Sequence, residues 1–379
     1  MSSFSTSLSA SVKDIDPVVF NTVNADKNVY FSKSFLEAFE RSNPQIEFQY
    51  ITISDGHKKT VALGLVQIIS LSVEGTLKNI KVAPFIRKFL NLFFCNEHIK
   101  ILFCGNVFLS GEHGISSSND VSKTEIMAQI GAALDTVAAN TKPLHAIFIK
   151  DFKAKSLKNT RQFLNFSYTE IKVEPNMIIQ LLPEWKTFED YKNILKSKYR
   201  VKANKADTKS SALETRLFTE HDFETYKDEL QALYQNTIAN ANFNAQVLNL
   251  DTYIHLRQTF KDDFIVKAYF LEHKLVGFLT ALVNKNTLDA HFIGLDYALN
   301  KSLAIYPRIL NDYVRLGIEK QVSSINLGRT ASEIKTTIGA TPLELSCYIK
   351  HKNPFINALI KPFFRRIKVK AFKHHSPFK

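Results

Sequence analysis

The chain has 379 residues, 45% of them hydrophobic, so it can bury two cores and length favours two domains. Its formal net charge of +13 suits an anionic partner, whether nucleic acid, membrane surface, acidic protein or phosphorylated cofactor. Three cysteines, Cys95, Cys104 and Cys347, sit in apolar runs without metal-ligand spacing. They argue against a disulfide framework and a zinc site, and for a reduced, cytoplasmic setting.

The opening MSSFSTSLSASVKDIDP has no basic region followed by an apolar one, so it is no secretory signal. Residues 1–20 are expected to be a disordered N-terminus. The longest apolar stretch, 61–73, is interrupted by Gln67, Ser70 and Ser72, short of the about 20 residues that cross a bilayer.

The phrase VYFSKSFLEAFERSN, 29–43, predicts an amphipathic helix with Ser32 as its N-cap. Residues 47–54 alternate as a strand, and Asp55-Gly56 turns the chain into a second strand over 60–73. The apolar segment 78–94, with lysines and an arginine interspersed, suits a partly buried helix or a loop over the fold. Then come a strand at 99–105, a loop over 108–119, a helix at 124–139, a strand at 144–149 and a short helix at 157–165.

A strand at 177–182 follows Pro175, and from 185 a helix begins that carries YKNILKSKYRVKANKA. Between Lys192 and Lys209 there are seven basic residues against one acid, Asp207. A solvated face and a binding face both fit such a run. Strand and helix recur at 214–219 and 221–240, then a helix at 251–260 and a strand at 264–271. The runs 276–283 and 288–293, parted by Asn284-Lys285-Asn286-Thr287, predict a hairpin. Residues 307–320 predict a helix with a proline in its first turn, and 323–327 a short strand closed by Gly328.

The order hairpin, helix, strand, glycine turn, together with INLGRTASEIKTTIGATP, resembles the C-terminal half of double-domain GNAT-type acyltransferases related to the Fem-type aminoacyl transferases of bacterial cell-wall synthesis. In that pattern a glycine follows the strand and a lysine precedes a second glycine, here Gly328, Lys335 and Gly339. The phrase FSKSFLEAFERS has counterparts near the N-terminus of such proteins, and the form YxxxLxxKxR at their junction is matched by Tyr191, Leu195, Lys198 and Arg200.

The resemblance implies an α/β (α+β) fold of two tandem GNAT-like domains, each a mixed central sheet flanked by helices. The expected domains are 21–183, a basic junction helix over 184–210, a catalytic domain over 211–352 and a basic amphipathic tail over 353–379. In simpler GNAT enzymes a glycine-rich turn cradles the coenzyme A pyrophosphate through backbone N–H groups. Here its place, 297–307, reads YALNKSLAIYP without glycine, which points away from ordinary acetyl-CoA.

Acylating an amine takes a held carbonyl, a path for the ammonium proton and a donor to the oxyanion. His291 is one candidate base, with Asp289 on the same strand face and Asp296 at the strand's end; a structural histidine is the bland reading of the first. Arg329 and Lys335, after the Gly328 turn, are candidates for holding a phosphate or carboxylate, against solvated residues at a helix start. Tyr199, Arg200, Lys202 and Tyr306 complete the candidate donor or substrate wall.

From Lys361 to the end, seven Lys or Arg and no acid are interleaved with aromatic and aliphatic residues. Such a tail binds anionic lipid, binds RNA or packs back on its domain. No GxSxG, Walker sequence, HExxH or paired CxxC occurs, which lowers hydrolase, NTPase and metalloenzyme readings.

The expected function is an N-acyltransferase taking an acyl group from acyl-CoA or an acyl carrier protein to an amine, with a lipid or cell-envelope precursor as candidate acceptor. It would be cytoplasmic, peripheral at the inner face of the membrane, and without a metal. A Fem-type transferase using aminoacyl-tRNA, and a non-catalytic binding protein on the same fold, are the rival readings.

Overall fold

The computed structural model describes residues 4–23, 28–72, 98–240, 246–366 and 369–379. The expectations for segment 78–94 and for Cys95 lie outside these residues. The chain divides into two compact units, Met1–Glu174 with Asn242–Leu248 and Glu344–Val369, and Pro175–Ala241 with Asn249–Leu343 and Lys370–Lys379.

The first unit opens with β1 (Ser5–Ser9), which pairs antiparallel with β2 (Glu47–Ser54). This pairing corrects the expectation of a disordered N-terminus, and one carboxylate anchors the residues that follow the strand. Helix α1 (Pro17–Thr22) precedes α2 (Lys33–Ser42), whose Glu40 accepts from the Val12 N–H at 3.0 Å and the Tyr50 hydroxyl at 2.8 Å, and from the Ser11 hydroxyl. Val12 is fully buried. Ser32 caps α2 as expected, its Oγ accepting from the Phe35 N–H at 3.3 Å.

Next come β3 (Thr60–Ser72), β4 (His98–Cys104), β5 (Ile115–Ser117, inside the expected loop), α3 (Lys123–Asn140), β6 (Ala146–Lys153), α4 (Leu157–Thr160) and β7 (Thr169–Gln180). β4 and β6 pair in parallel, with α3 as the crossover that parallel strands need. β7 begins well before the expected 177. Its early residues, with Ile171 buried, extend through Pro175, and the unit boundary falls inside this strand, so no linker composition marks it.

In the second unit the expected basic junction helix is two helices, α5 (Phe188–Ile194) and α6 (Ser197–Lys209). The break is at Leu195 and Lys196, whose backbone pairs with the chain's end: Leu195 bridges Phe378, and the Lys196 N–H donates to the Pro377 carbonyl at 2.8 Å. Then follow β8 (Glu214–Leu217), α7 (Glu220–Thr225), α8 (Lys227–Ala239), α9 (Asp251–Phe260), β9 (Phe264–Leu271), β10 (Lys274–Asn284), β11 (Thr287–Leu295), α10 (Tyr297–Leu303), α11 (Ile305–Glu319), β12 (Ser324–Asn326) and α12 (Ser332–Thr336).

The hairpin falls where expected, Asn284 opposite Thr287, with Lys285 at positive φ. Its sheet runs β7-β12-β11-β10-β9-β8, with β11 and β12 parallel and α10–α11 crossing between them. Val276, Leu279 and Leu288 of the sheet and Ile305, Ile309, Tyr313 and Val314 of α11 belong to one buried cluster. Gly294 lets α8 approach the sheet: a Cβ there would stand 2.8 Å from the Leu233 carbonyl carbon and 2.3 Å from the Phe278 ring. Gly294→Ala is therefore expected to cost about 1–3 kcal/mol of stability by overpacking, read as a lowered denaturation midpoint.

The last elements are β13 (Thr341–His351), antiparallel to β6, and α13 (Pro354–Phe364). Beyond them the chain packs on the second unit. Phe378 lies with its ring 5.8 Å from Trp185 and 6.1 Å from Tyr191, and Phe372 joins the same cluster. Of the three readings of the tail, packing back holds for these two residues. Gly339, at φ +91, leaves the room Phe378 occupies: a Cβ there would be 2.2 Å from its Cζ. Phe378→Ala is expected to lower stability by about 2–3 kcal/mol, less than for a fully buried ring, and urea denaturation measures it.

Candidate active site

The parallel pair β11 and β12 is short. Thr287, Leu288 and Asp289 face Ser324, Ile325 and Asn326, and there the ladder ends. β11 runs on beside β10 as far as Leu295, opposite Gly277. The chain after β12 instead follows β7: the Leu327 N–H donates to the Met177 carbonyl at 2.8 Å and the Met177 N–H to the Gly328 carbonyl at 3.1 Å. The two strands thus part from Ala290 and Leu327 onward.

Side chains fix that parting. Asn326 Nδ2 donates to Asp289 Oδ1 at 2.9 Å, while its own Oδ1 accepts the Gly328 N–H at 3.0 Å. Gly328, Thr330 and Ala331 take positive φ in succession, which turns the carbonyls of 327–329 inward. The Lys335 ammonium, 5% exposed, donates to the carbonyls of Leu327 at 2.7 Å, Gly328 at 3.3 Å and Arg329 at 2.7 Å. Lys335 was a candidate for holding a phosphate or carboxylate. The geometry gives its three protons to the turn, which corrects that role, and Asp289 likewise braces the strand pair.

A cavity of about 500 Å³ lies within the second unit between α6, the α10–α11 corner and α12. Its walls are mostly apolar, with Leu195, Ala203 and Ala206 on one side and Pro307, Leu310, Ile334 and Ile338 on the other. Lys202, Lys205, Lys209 and Lys301 line it as well, all of them exposed. An apolar slot lined by four lysines fits a ligand with an apolar arm and an anionic head.

Of the sequence-derived candidates, Tyr199, Lys202 and Tyr306 line this cavity. Tyr199 shares a hydrogen bond with His375 at 3.3 Å and lies under the Lys202 ammonium at 5.7 Å. Burial, with Tyr297 nearby, pushes the Tyr306 hydroxyl well above the usual phenol range, so it stays protonated as a donor. Arg200, Arg329, Lys335, His291, Asp289 and Asp296 are not among the lining residues. His291 keeps company with Tyr253 and Phe264, ring centroids 6.5 and 6.2 Å away. Asp296 is the N-cap of α10, accepting from the Ala298 N–H at 2.9 Å. None of the three candidate bases, His291, Asp289 and Asp296, thus lines this cavity.

The glycine-free corner has its own geometry. Ala304 supplies the left-handed residue, at φ +48. At the start of α11 the Tyr306 N–H is taken by Asn300 Oδ1 at 2.8 Å, and Pro307 has none. Backbone donors that would cradle a phosphate are thereby reduced, and the lysines are the cations at hand.

What holds α6 in place was not read from the sequence. Asp207, the one acid of the basic run, turns inward to Arg308 and Arg315, and Asn311 Nδ2 donates to the Ala203 carbonyl and to Asp207, each at 3.0 Å. Beneath it Asp312, fully buried, accepts from the Tyr269 hydroxyl at 2.8 Å and pairs with Lys267 at 3.2 Å and Arg308 at 3.1 Å. The signal available was spacing: 199, 202, 203 and 206 recur at i, i+3, i+4 and i+7.

No family model matches the sequence, and no curated protein is similar to it by sequence. Solved structures are similar in fold. FemX aligns over 86% of this chain and 92% of its own at 10% identity, TM-score 0.50. A tandem GNAT protein from the clavulanic acid biosynthesis pathway aligns over 93% and 99% at 7% identity, TM-score 0.53. The fold is a Fem-like tandem GNAT fold. L-PGS from Bacillus licheniformis shares it over 93% of this chain and 97% of its own, at 10% identity and TM-score 0.50.

In this tandem GNAT-like fold each unit has its parallel pair beside a crossover helix, β4 with β6 and β11 with β12. The two tandem GNAT-like halves that the resemblance implied are thus visible in the sheets. Among the described residues no group of His, Cys, Asp and Glu could hold a metal ion, and no helix is long and apolar enough to cross a membrane. Cys104 and Cys347 are buried, and burial pushes the Cys104 thiol up to about 12, which makes it a poor nucleophile.

Proposed function

We propose that the second unit is an N-acyltransferase that moves an acyl group from a phosphate-bearing thioester to an amine. The observation that carries this is the apolar, lysine-lined cavity of about 500 Å³ at the α10–α11 corner of a GNAT-type unit. The lysines take the phosphates and the apolar wall takes the donor's arm. The neutral amine attacks the thioester carbonyl; the C–N bond forms, the C–S bond breaks, and the leaving thiolate ends with the proton that the nitrogen sheds on becoming an amide.

Within that reading the donor is an acyl-CoA or an acyl carrier protein, and a lipid or envelope precursor is the candidate acceptor. FemX and L-PGS, similar in fold alone, make an aminoacyl ester a reasonable second donor, and the exposed cations of α6 favour it. The test is thiol release from a panel of acyl-CoAs, acetyl to palmitoyl, with and without primary amines. Amine-dependent release with one chain-length class is expected. Release with no acyl-CoA, beside transfer from an aminoacyl-tRNA, overturns the thioester reading for the aminoacyl one.

A further inference from the structure

The helix α13 has two unlike sides. Its inner side is fixed to the first unit: Asn357 Nδ2 donates to the Ser167 carbonyl at 3.0 Å, its Oδ1 accepts the His351 N–H at 2.9 Å, and Ile360 is 8% exposed. Its outer side carries Phe355, 81% exposed, Leu359, 57%, and Phe363, 41%. Spaced four apart on a helix, these three form a line about 12 Å long. Exposed Ala358 and Pro362 lie beside them.

Charge says what such a line meets. Lys361 lies in the helix's last turn, Arg365 and Arg366 follow it exposed, and residues 345–379 contain no Asp or Glu. Three apolar side chains pointing one way, with cations at one end, match the boundary between acyl chains and anionic headgroups. Phe355 and Phe363 have faces on which a base stacks, but Leu359 between them and Pro362 beside them have none, and such an interrupted line suits the acyl boundary better than single-stranded RNA.

We propose that this face of α13 docks on an anionic lipid bilayer, with Phe355, Leu359 and Phe363 entering the acyl boundary and Lys361, Arg365 and Arg366 among the phosphates. The site is narrower than the whole basic tail expected from sequence, because Phe372 and Phe378 are packed on the second unit. It stands independently of the acyl-transfer reading.

The test is flotation of the full chain with vesicles of phosphatidylcholine, alone or mixed with phosphatidylglycerol. The wild type should float with the mixed vesicles. Phe355→Ser/Leu359→Ser/Phe363→Ser should bind roughly tenfold or more weakly with its melting temperature kept, and Arg365→Glu/Arg366→Glu should lose the preference for phosphatidylglycerol. A Phe355→Trp variant should gain an emission component quenched by brominated lipid. The proposal is overturned if the wild type stays at the bottom of the gradient, if the serine variant floats equally well, or if the same three residues instead govern binding to polyuridine.

Discussion

Asp312→Ala should be the most destabilising single substitution in the second unit, at about 3–5 kcal/mol. The carboxylate is fully buried and is shared by Lys267, Arg308, Arg315 and the Tyr269 hydroxyl. Removing it takes the buried acceptor from three cations and a hydroxyl, of which Lys267 and the hydroxyl have no share in Asp207, and the cost is that of the groups left behind more than of the pair itself. It also loosens α11, and with it Asp207 and the α6 wall of the cavity.

The pH dependence gives the sign. Burial works to raise the Asp312 pKa, but the charges of Lys267, Arg308 and Arg315 outweigh it and hold the carboxyl below the usual carboxylate range. A carboxylate depressed in the folded state stabilises the fold above its unfolded pKa of ~3.9 and loses that contribution as pH falls through the folded value. The stability gap between wild type and Asp312→Ala should therefore be widest near neutrality and shrink in acid. Urea denaturation at neutral and acid pH reads it, and an unchanged gap contradicts the assignment.

Lys205→Glu/Lys209→Glu should have the largest effect on the chemistry. Both side chains are exposed and line the cavity, so the fold should be untouched while the anionic head of the donor meets repulsion. A charge-assisted contact at each lysine makes the expected loss of donor affinity roughly a hundredfold, ten for each position. The wild-type affinity should also weaken with salt, and the variant's should do so less. Calorimetric titration with an acyl-CoA measures both, and equal affinity in the two proteins excludes these lysines as phosphate ligands.

Local pattern made much of the framework legible. The hairpin of β10 and β11, the Ser32 cap and the amphipathic α11 are each written in consecutive residues, so period and turn chemistry suffice. What was not legible depends on distant partners. The N-terminal strand is paired with β2 and its exit is anchored by Glu40, the junction helix is broken where Phe378 and Pro377 pair with it, and β7 runs through a proline that reads as a boundary.

The candidate site follows the same division. Its walls come from 195–209, 300–310 and 334–338, and no window of sequence holds them together. Lys335 falls at a motif position that suggests a ligand contact, yet the carbonyls that claim it are arranged by positive φ values at 328, 330 and 331. The basic run gave the charge of α6 without saying which of its faces is buried. Asp207 was the one residue in it whose type differed, and it is the pin.

The most direct test of the central claim is photo-crosslinking with an acyl-CoA that carries a benzophenone on its acyl chain, followed by peptide mapping. Labelled peptides from 195–209 and 300–310, protected by excess unlabelled donor, are expected. Protected labelling confined to peptides of the first unit would contradict that claim.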